Sequence, residues 1–206
     1  MFIVDKAPAS INQALPVPKV IFFDIDDTLS RNGIIATHNQ ATLEALAKTD
    51  IKLVISTGRS KAILPADILA LLEADVLDAI ICMNGQYSFD NKGLISHYPL
   101  SAEQADKIVQ LCQTSQLIHK FDSATHIAWS DENERLRDFN AKTPNSIVDP
   151  LYYQSNPVYQ CSVFFNNQFD KMQDIDFAQD DLKLVHWHHI GADILPANAS
   201  KARGIK

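Results

Sequence analysis

The chain has 206 residues, enough for one large or two small domains, and its 46% hydrophobic and 21% charged content is that of a globular protein. A net charge of -7 excludes an extended nucleic-acid surface, which needs clustered lysine and arginine to neutralise phosphates. No run approaches the roughly 18 apolar residues of a membrane span, and Met1 to Pro18 lacks the charged start and long apolar core of a secretory signal. Cys82, Cys112 and Cys161 are odd in number and free of CxxC spacing, which fits reduced thiols. A soluble cytoplasmic protein with no membrane contact is therefore expected.

Ala-Pro-Ala-Ser and Pro16-Val-Pro18 predict an irregular N-terminal arm over 1–18. Val20-Ile-Phe-Phe23 is too short for a helix and suits a strand buried on both faces. Asp24, Asp26 and Asp27 follow at its carboxyl end, where open parallel sheets bind ligands. Carboxylates this close raise one another's pKa unless a positive charge lies between them. A divalent cation is the simplest remedy, and oxygen-only ligands point to magnesium.

Ser30-Arg-Asn-Gly33 reads as a turn and Ile34-Ile35 as part of a short flap. Asn39 to Lys48 carries Leu43, Leu46 and Ala47 at helical spacing, with Thr37, His38 or Asn39 as caps. Ile51 to Ile55 is a second buried strand, so strand, helix and strand form a right-handed parallel crossover. It ends in Ser56-Thr57-Gly58-Arg59-Ser60: a hydroxyl, a glycine that lets backbone approach a ligand, and an arginine suited to phosphate. A capped turn into the next helix would look similar.

Helical spacing returns through Ala62, Ile63, Ile68, Leu69, Leu71 and Leu72, with Pro65 bending or starting the segment. Ala79 to Met83 is a third strand, closed by Asn84-Gly85. From Gln86 the character changes to a hairpin turning at Asp90 to Gly93, a helix over Ser101 to Gln113, strands at His126–Trp129 and Val158–Phe165, and a short charged helix over Asp131 to Phe139. His186 and His188 share a strand face, but no carboxylate or cysteine stands at a matching offset, so an exposed strand is expected rather than a zinc site. In the last stretch Asn198 or Ser200 would cap a helix opening at Lys201, whose amides would add to the pull of the lysine on an anion.

Asp24-Ile-Asp26-Asp27-Thr28 resembles the first motif, DxDx[TV], of the haloacid dehalogenase (HAD) superfamily, in which an aspartate is the nucleophile. Thr57-Gly58-Arg59 is similar to its second motif, Asn84-Gly85 to the loop bordering substrate in the Cof-like branch, and the segment around Lys201 to the third motif. The resemblance implies an α/β fold: a Rossmann-like core with a parallel sheet over 1–86, an inserted α+β cap over 87–187, and an incomplete return to the core over 188–206.

It implies a magnesium-dependent phosphatase for small phosphorylated metabolites such as sugar phosphates, working through an aspartyl-phosphate. Asp24 would be the nucleophile, Asp26 the acid and base with a pKa nearer neutrality, and Thr57 and Lys201 the holders of the phosphate oxygens. Gly58, Arg59, Asn84, Gly85 and Asn198 would border the substrate, while Asp24 and Asp26 would bind Mg2+, Asp26 through its backbone carbonyl. The fourth motif of the superfamily, a GDxxND-like acidic pair, has no match in the chain. Weaker magnesium binding and an unpaired edge at the first strand are the expected consequences, the latter favouring self-association. Two alternatives stay open: an impaired relative that binds phosphate ligands without turnover, and a phosphomutase.

Overall fold

A computed structural model describes residues 17–31, 34–132, 143, 145–165 and 176–205. The expected arm over 1–18 falls almost wholly outside these residues, as do the turn at Asn32-Gly33, most of the predicted 131–139 helix and the side chain of His188.

The apolar run expected as the first strand is β1 (Val20–Phe23), followed by a two-strand flap of β2 (Ser30–Arg31) and β3 (Ile34–Ile35). Helix α1 (Thr37–Leu46) begins earlier than its predicted caps allow, because Ala36 holds the N-cap position with no side-chain bond. Asn39 instead donates to the Leu29 carbonyl at 3.0 Å and ties the helix to the acidic loop. β4 (Lys52–Ser56) lies parallel to β1, and after α2 (Ala66–Glu73), which starts directly behind Pro65, β5 (Ala79–Cys82) lies parallel to β4. Ile25, Leu53, Ile55, Ile68 and Ile80, none accessible to solvent, form the centre of this core.

The hairpin expected in the cap joins the core sheet instead. β6 (Tyr87–Asp90) pairs antiparallel with β5, and β7 (Gly93–His97) with β6, giving the order β1-β4-β5-β6-β7. A hairpin pattern specifies its own pairing, not the sheet that receives it, and β5 offered an open edge.

The second sheet is built from β8 (Ile118–Asp122), β9 (Ile127–Trp129), β10 (Ser146–Val148), β11 (Gln160–Phe164), β12 (Leu182–His188) and β13 (Gly191–Pro196). Its order is β10-β9-β8-β11-β13-β12. Helix α3 (Ala102–Thr114), closed by a Ser101/Gln104 capping box, packs Ala105, Ile108 and Cys112 against Phe121, Cys161, Val163 and Ile194 on one face of that sheet. The sheets therefore part near residues 98–100 and 197–200, not at 87 and 188, since β13 belongs to the second sheet. All three cysteines are buried and free.

Candidate active site

Three core strands point their carboxyl ends at one spot. β1 delivers Asp24 and Asp26, β4 runs into Thr57-Gly58-Arg59, and the Met83–Gly85 turn after β5 presents Asn84. The last two loops are stitched together, for Asn84 N donates to the Thr57 carbonyl at 3.1 Å and Met83 N to the Arg59 carbonyl at 2.9 Å. Asn84 holds a left-handed conformation (φ 53°) that asparagine tolerates better than most residues. Its amide side chain lies against Gly58, where an added Cβ would stand 3.3 Å from Asn84 Oδ1.

The fourth contribution comes from the chain's return. Ser200 caps helix α4 (Lys201–Gly204), accepting from Arg203 N at 3.1 Å, and Lys201 reaches Asp24 with Nζ 3.0 Å from Oδ1. The same carboxylate oxygen accepts from Ile25 N at 2.9 Å. Four residues make too short a helix for its dipole to matter, so the attraction at this point is the ammonium charge.

Asp24, Asp26, Thr57, Gly58, Arg59, Asn84 and Lys201 line one cavity of about 400 Å³. Thr57 is 1% exposed, and its hydroxyl oxygen accepts from Arg59 N at 3.1 Å, leaving the O–H proton free to donate. Two predicted site residues lie elsewhere. Gly85 (φ 89°) faces α4, where a Cβ would stand 2.0 Å from the Ser200 carbonyl, so its service is to admit the lysine-bearing turn. Asn198 is drawn off by Arg203, whose Nη1 donates to its Oδ1 while the guanidinium stacks 3.9 Å over the Tyr98 ring.

Arg59 also takes an unexpected part. It grips Asp26 with two bonds, Nε to Oδ2 at 2.9 Å and Nη2 to Oδ1 at 2.7 Å. Those hydrogen bonds hold the Asp26 carboxyl below its ordinary pKa against the opposing effect of burial, with the charges of Arg59 and Lys201 adding to the lowering. The expectation of an Asp26 pKa nearer neutrality is thus overturned in this arrangement. Asp27 (φ 55°) turns outward toward Arg31, and among the described residues no three His, Cys, Asp or Glu side chains gather as a metal cluster.

The opposite wall belongs to the second sheet. Lys120, Asp122, Gln160, Ser162, Phe164, Trp187 and Asp193 add to the lining, and motif reading points to none of them. Their signal was the alternation Lys120-Phe121-Asp122 and Gln160-Cys161-Ser162, which reads equally as a solvated face. Two bonds clasp this wall to the core: Ser60 Oγ donates to the Ser123 carbonyl at 2.9 Å and Gln160 Nε2 to the Gly58 carbonyl at 3.3 Å.

A carboxylate beside an ammonium, a buried hydroxyl and a second carboxylate meet at the carboxyl ends of parallel strands. The chain belongs to the haloacid dehalogenase-like hydrolases, whose sequence pattern matches residues 21–206. It is 26% identical over 192 residues to the Bacillus subtilis protein YkrA, whose name proposes a phosphatase, covering 91% of this chain and 72% of that one. A Streptococcus pyogenes protein named as a bifunctional phosphatase and peptidyl-prolyl cis-trans isomerase is also 26% identical, and the chain spans 40% of its length. Among solved structures, a HAD subclass IIB sugar phosphatase superposes with a TM-score of 0.74 at 24% identity, over 91% of this chain and 73% of that one. A phosphatase from Bacteroides thetaiotaomicron gives 0.75 at 20% identity, over 94% and 74%. As a family member the chain is a hydrolase of α/β fold, and the relatives it resembles are phosphatases. No helix of the described residues is long and apolar enough to cross a membrane.

Proposed function

We propose that the chain is a phosphatase of small phosphorylated metabolites that works through an aspartyl-phosphate on Asp24. The observation that carries this reading is the meeting of Asp24, Lys201 and Thr57 in one cavity, from three separate parts of the sequence. Asp24 Oδ attacks phosphorus in line and the bond from phosphorus to the leaving oxygen breaks. Asp26, once protonated, gives its proton to that oxygen. Water then attacks the phosphoryl-aspartate, Asp26 takes up the water's proton, and inorganic phosphate leaves with Asp24 restored. Thr57 Oγ and Lys201 Nζ hold phosphoryl oxygens, and the ammonium offsets charge that would otherwise repel the nucleophile.

Magnesium fits the donor set. The Asp24 carboxylate and the Asp26 main-chain carbonyl are hard oxygens, and water and phosphate would fill the other positions of an octahedron. When bound, the ion supplies charge neutralisation for the phosphoryl group. The Asp26 side chain is taken by Arg59, so binding through two protein oxygens is weak and tightens with substrate.

Phosphate release from an aryl phosphate, with and without Mg2+, tests the reading. The parent chain releases phosphate and Asp24→Asn, with its fold intact, does not. Retention of most of the parent activity by Asp24→Asn would remove Asp24 as the nucleophile.

A further inference from the structure

The second sheet presents chemistry on both of its faces. Alternate residues of a strand point to opposite sides. Lys120, Asp122, Gln160 and Ser162 line the cavity around Asp24, so His119 and Phe121 on β8 and Cys161 and Val163 on β11 turn to the face that α3 covers. The register sets Phe121 opposite Cys161 and His119 opposite Val163. Onto them α3 brings Cys112, on the apolar side that also carries Ala105 and Ile108.

A separate cavity of about 520 Å³ lies along this seam, with Gln110, Cys112, Gln113, His119, Ser130 and Tyr153 in its lining. Ser130 Oγ accepts from His119 N at 3.0 Å, and Tyr153 Oη donates to Asp106 Oδ1 at 3.1 Å. The imidazole of His119 is left over. The residue is 5% exposed, its ring stands edge-on to Phe121 at 5.7 Å, and Nδ1 is buried with no hydrogen-bond partner among the described residues.

The Cys112 thiol meets both Cys161 and His119. Hydrogen bonding with Cys161, and then with His119, draws its pKa below the ordinary value against the opposing effect of burial. Burial and the neighbouring Cys112 push the Cys161 thiol the other way. The two sulfurs are therefore unequal, one inclined to the reactive thiolate and the other held as a thiol.

Buried cysteines can serve as plain core filling, but filling has no use for an imidazole whose nitrogen goes unpaired beside them. Two sulfurs and an imidazole could suggest a metal, yet no three His, Cys, Asp or Glu side chains gather as a metal cluster among the described residues. A nucleophilic thiol, a second thiol to resolve it and an imidazole to carry a proton suit a two-electron oxidant. With Cys112 only 1% exposed, that oxidant must be small, as hydrogen peroxide is.

We infer that Cys112 and Cys161 form a dithiol site oxidised by peroxide, with His119 as its proton carrier, on the face of the second sheet away from Asp24. Cys112 Sγ attacks one peroxide oxygen and the O–O bond breaks. The departing oxygen takes the thiol proton by way of His119 and leaves as water, with a sulfenic acid on Cys112. Cys161 Sγ then attacks that sulfur, its proton joins the departing hydroxyl, and a second water leaves as the disulfide forms. The two thiols lose two electrons and the peroxide gains them.

Treatment of the folded chain with hydrogen peroxide at neutral pH, followed by thiol blocking and peptide mass spectrometry, tests the site. The expected product is one Cys112–Cys161 disulfide, lighter than the reduced chain by two hydrogen atoms and reversed by a dithiol reductant. Cys82, in the cluster under the core sheet, stays a free thiol. Cys161→Ala halts at a Cys112 sulfenic acid that dimedone traps, and His119→Phe slows the oxidation of Cys112 by at least about tenfold. Oxidation of His119→Phe at the parent rate overturns the part given to His119. Should the variants not fold, the parent peptides decide: three free thiols after treatment, or oxidation that begins at Cys82, overturns the site. These readouts do not depend on phosphate release, so they stand or fall apart from the phosphatase reading.

Discussion

Arg59 has two claims on it, the Asp26 carboxylate it grips and, in the proposed reaction, the phosphate. Its bidentate hold favours the ionised form of Asp26, which in the proposed reaction would suit the step that takes a proton from water and oppose the step that gives one to the leaving group. The sign of its removal follows. A partner that favours the charged form lowers a carboxyl pKa, so Arg59→Ala raises that of Asp26. The limb of the pH profile of kcat/KM that belongs to Asp26 moves to higher pH in this variant. An unmoved limb would mean that Asp26 does not titrate in the reaction. Motif reading placed Asp24, Asp26, Thr57 and Lys201 because each sits at a strand or helix end. It could not foresee the Arg59 bond, which depends on two side chains meeting across a cleft.

Among the elements, β1, β4 and β5 were legible because short apolar runs bounded by turn residues have few other solutions. The β6–β7 hairpin and β13 were assigned to the wrong sheet, since pairing between distant strands leaves no local trace. The α4 turn shows the same limit in another form. Its position depends on Gly85 and Gly204, where an added Cβ would stand 2.0 Å from the Ser200 carbonyl and 2.4 Å from Ile81 Cγ2 respectively. Gly85→Ala therefore pushes the Lys201 turn away from Asp24 and strains a left-handed backbone, costing about 1–3 kcal/mol of stability. A thermal melt and kcat/KM register both effects, with kcat/KM falling by at least about tenfold. Parent-like kinetics in Gly85→Ala would show that the placement of Lys201 does not matter.

Over the whole molecule, two sheets close on one cavity, and the clasp of Ser60 to Ser123 and of Gln160 to Gly58 joins the loop after β4 to the second sheet. On the other side of the core sheet β1 pairs only with β4 among the described residues, and Val20 is 39% exposed. An unpaired apolar edge favours strand addition, so the 206-residue chain is expected to self-associate in light scattering with rising concentration. A monomer at all concentrations would show that the edge is protected. The most direct test of the chemistry is acid-quenched turnover of a phosphomonoester followed by peptide mass spectrometry. The account predicts one phosphoryl group on the peptide containing Asp24, absent in Asp24→Asn; turnover with no phosphoryl group on that peptide, or with one on another residue, would contradict it.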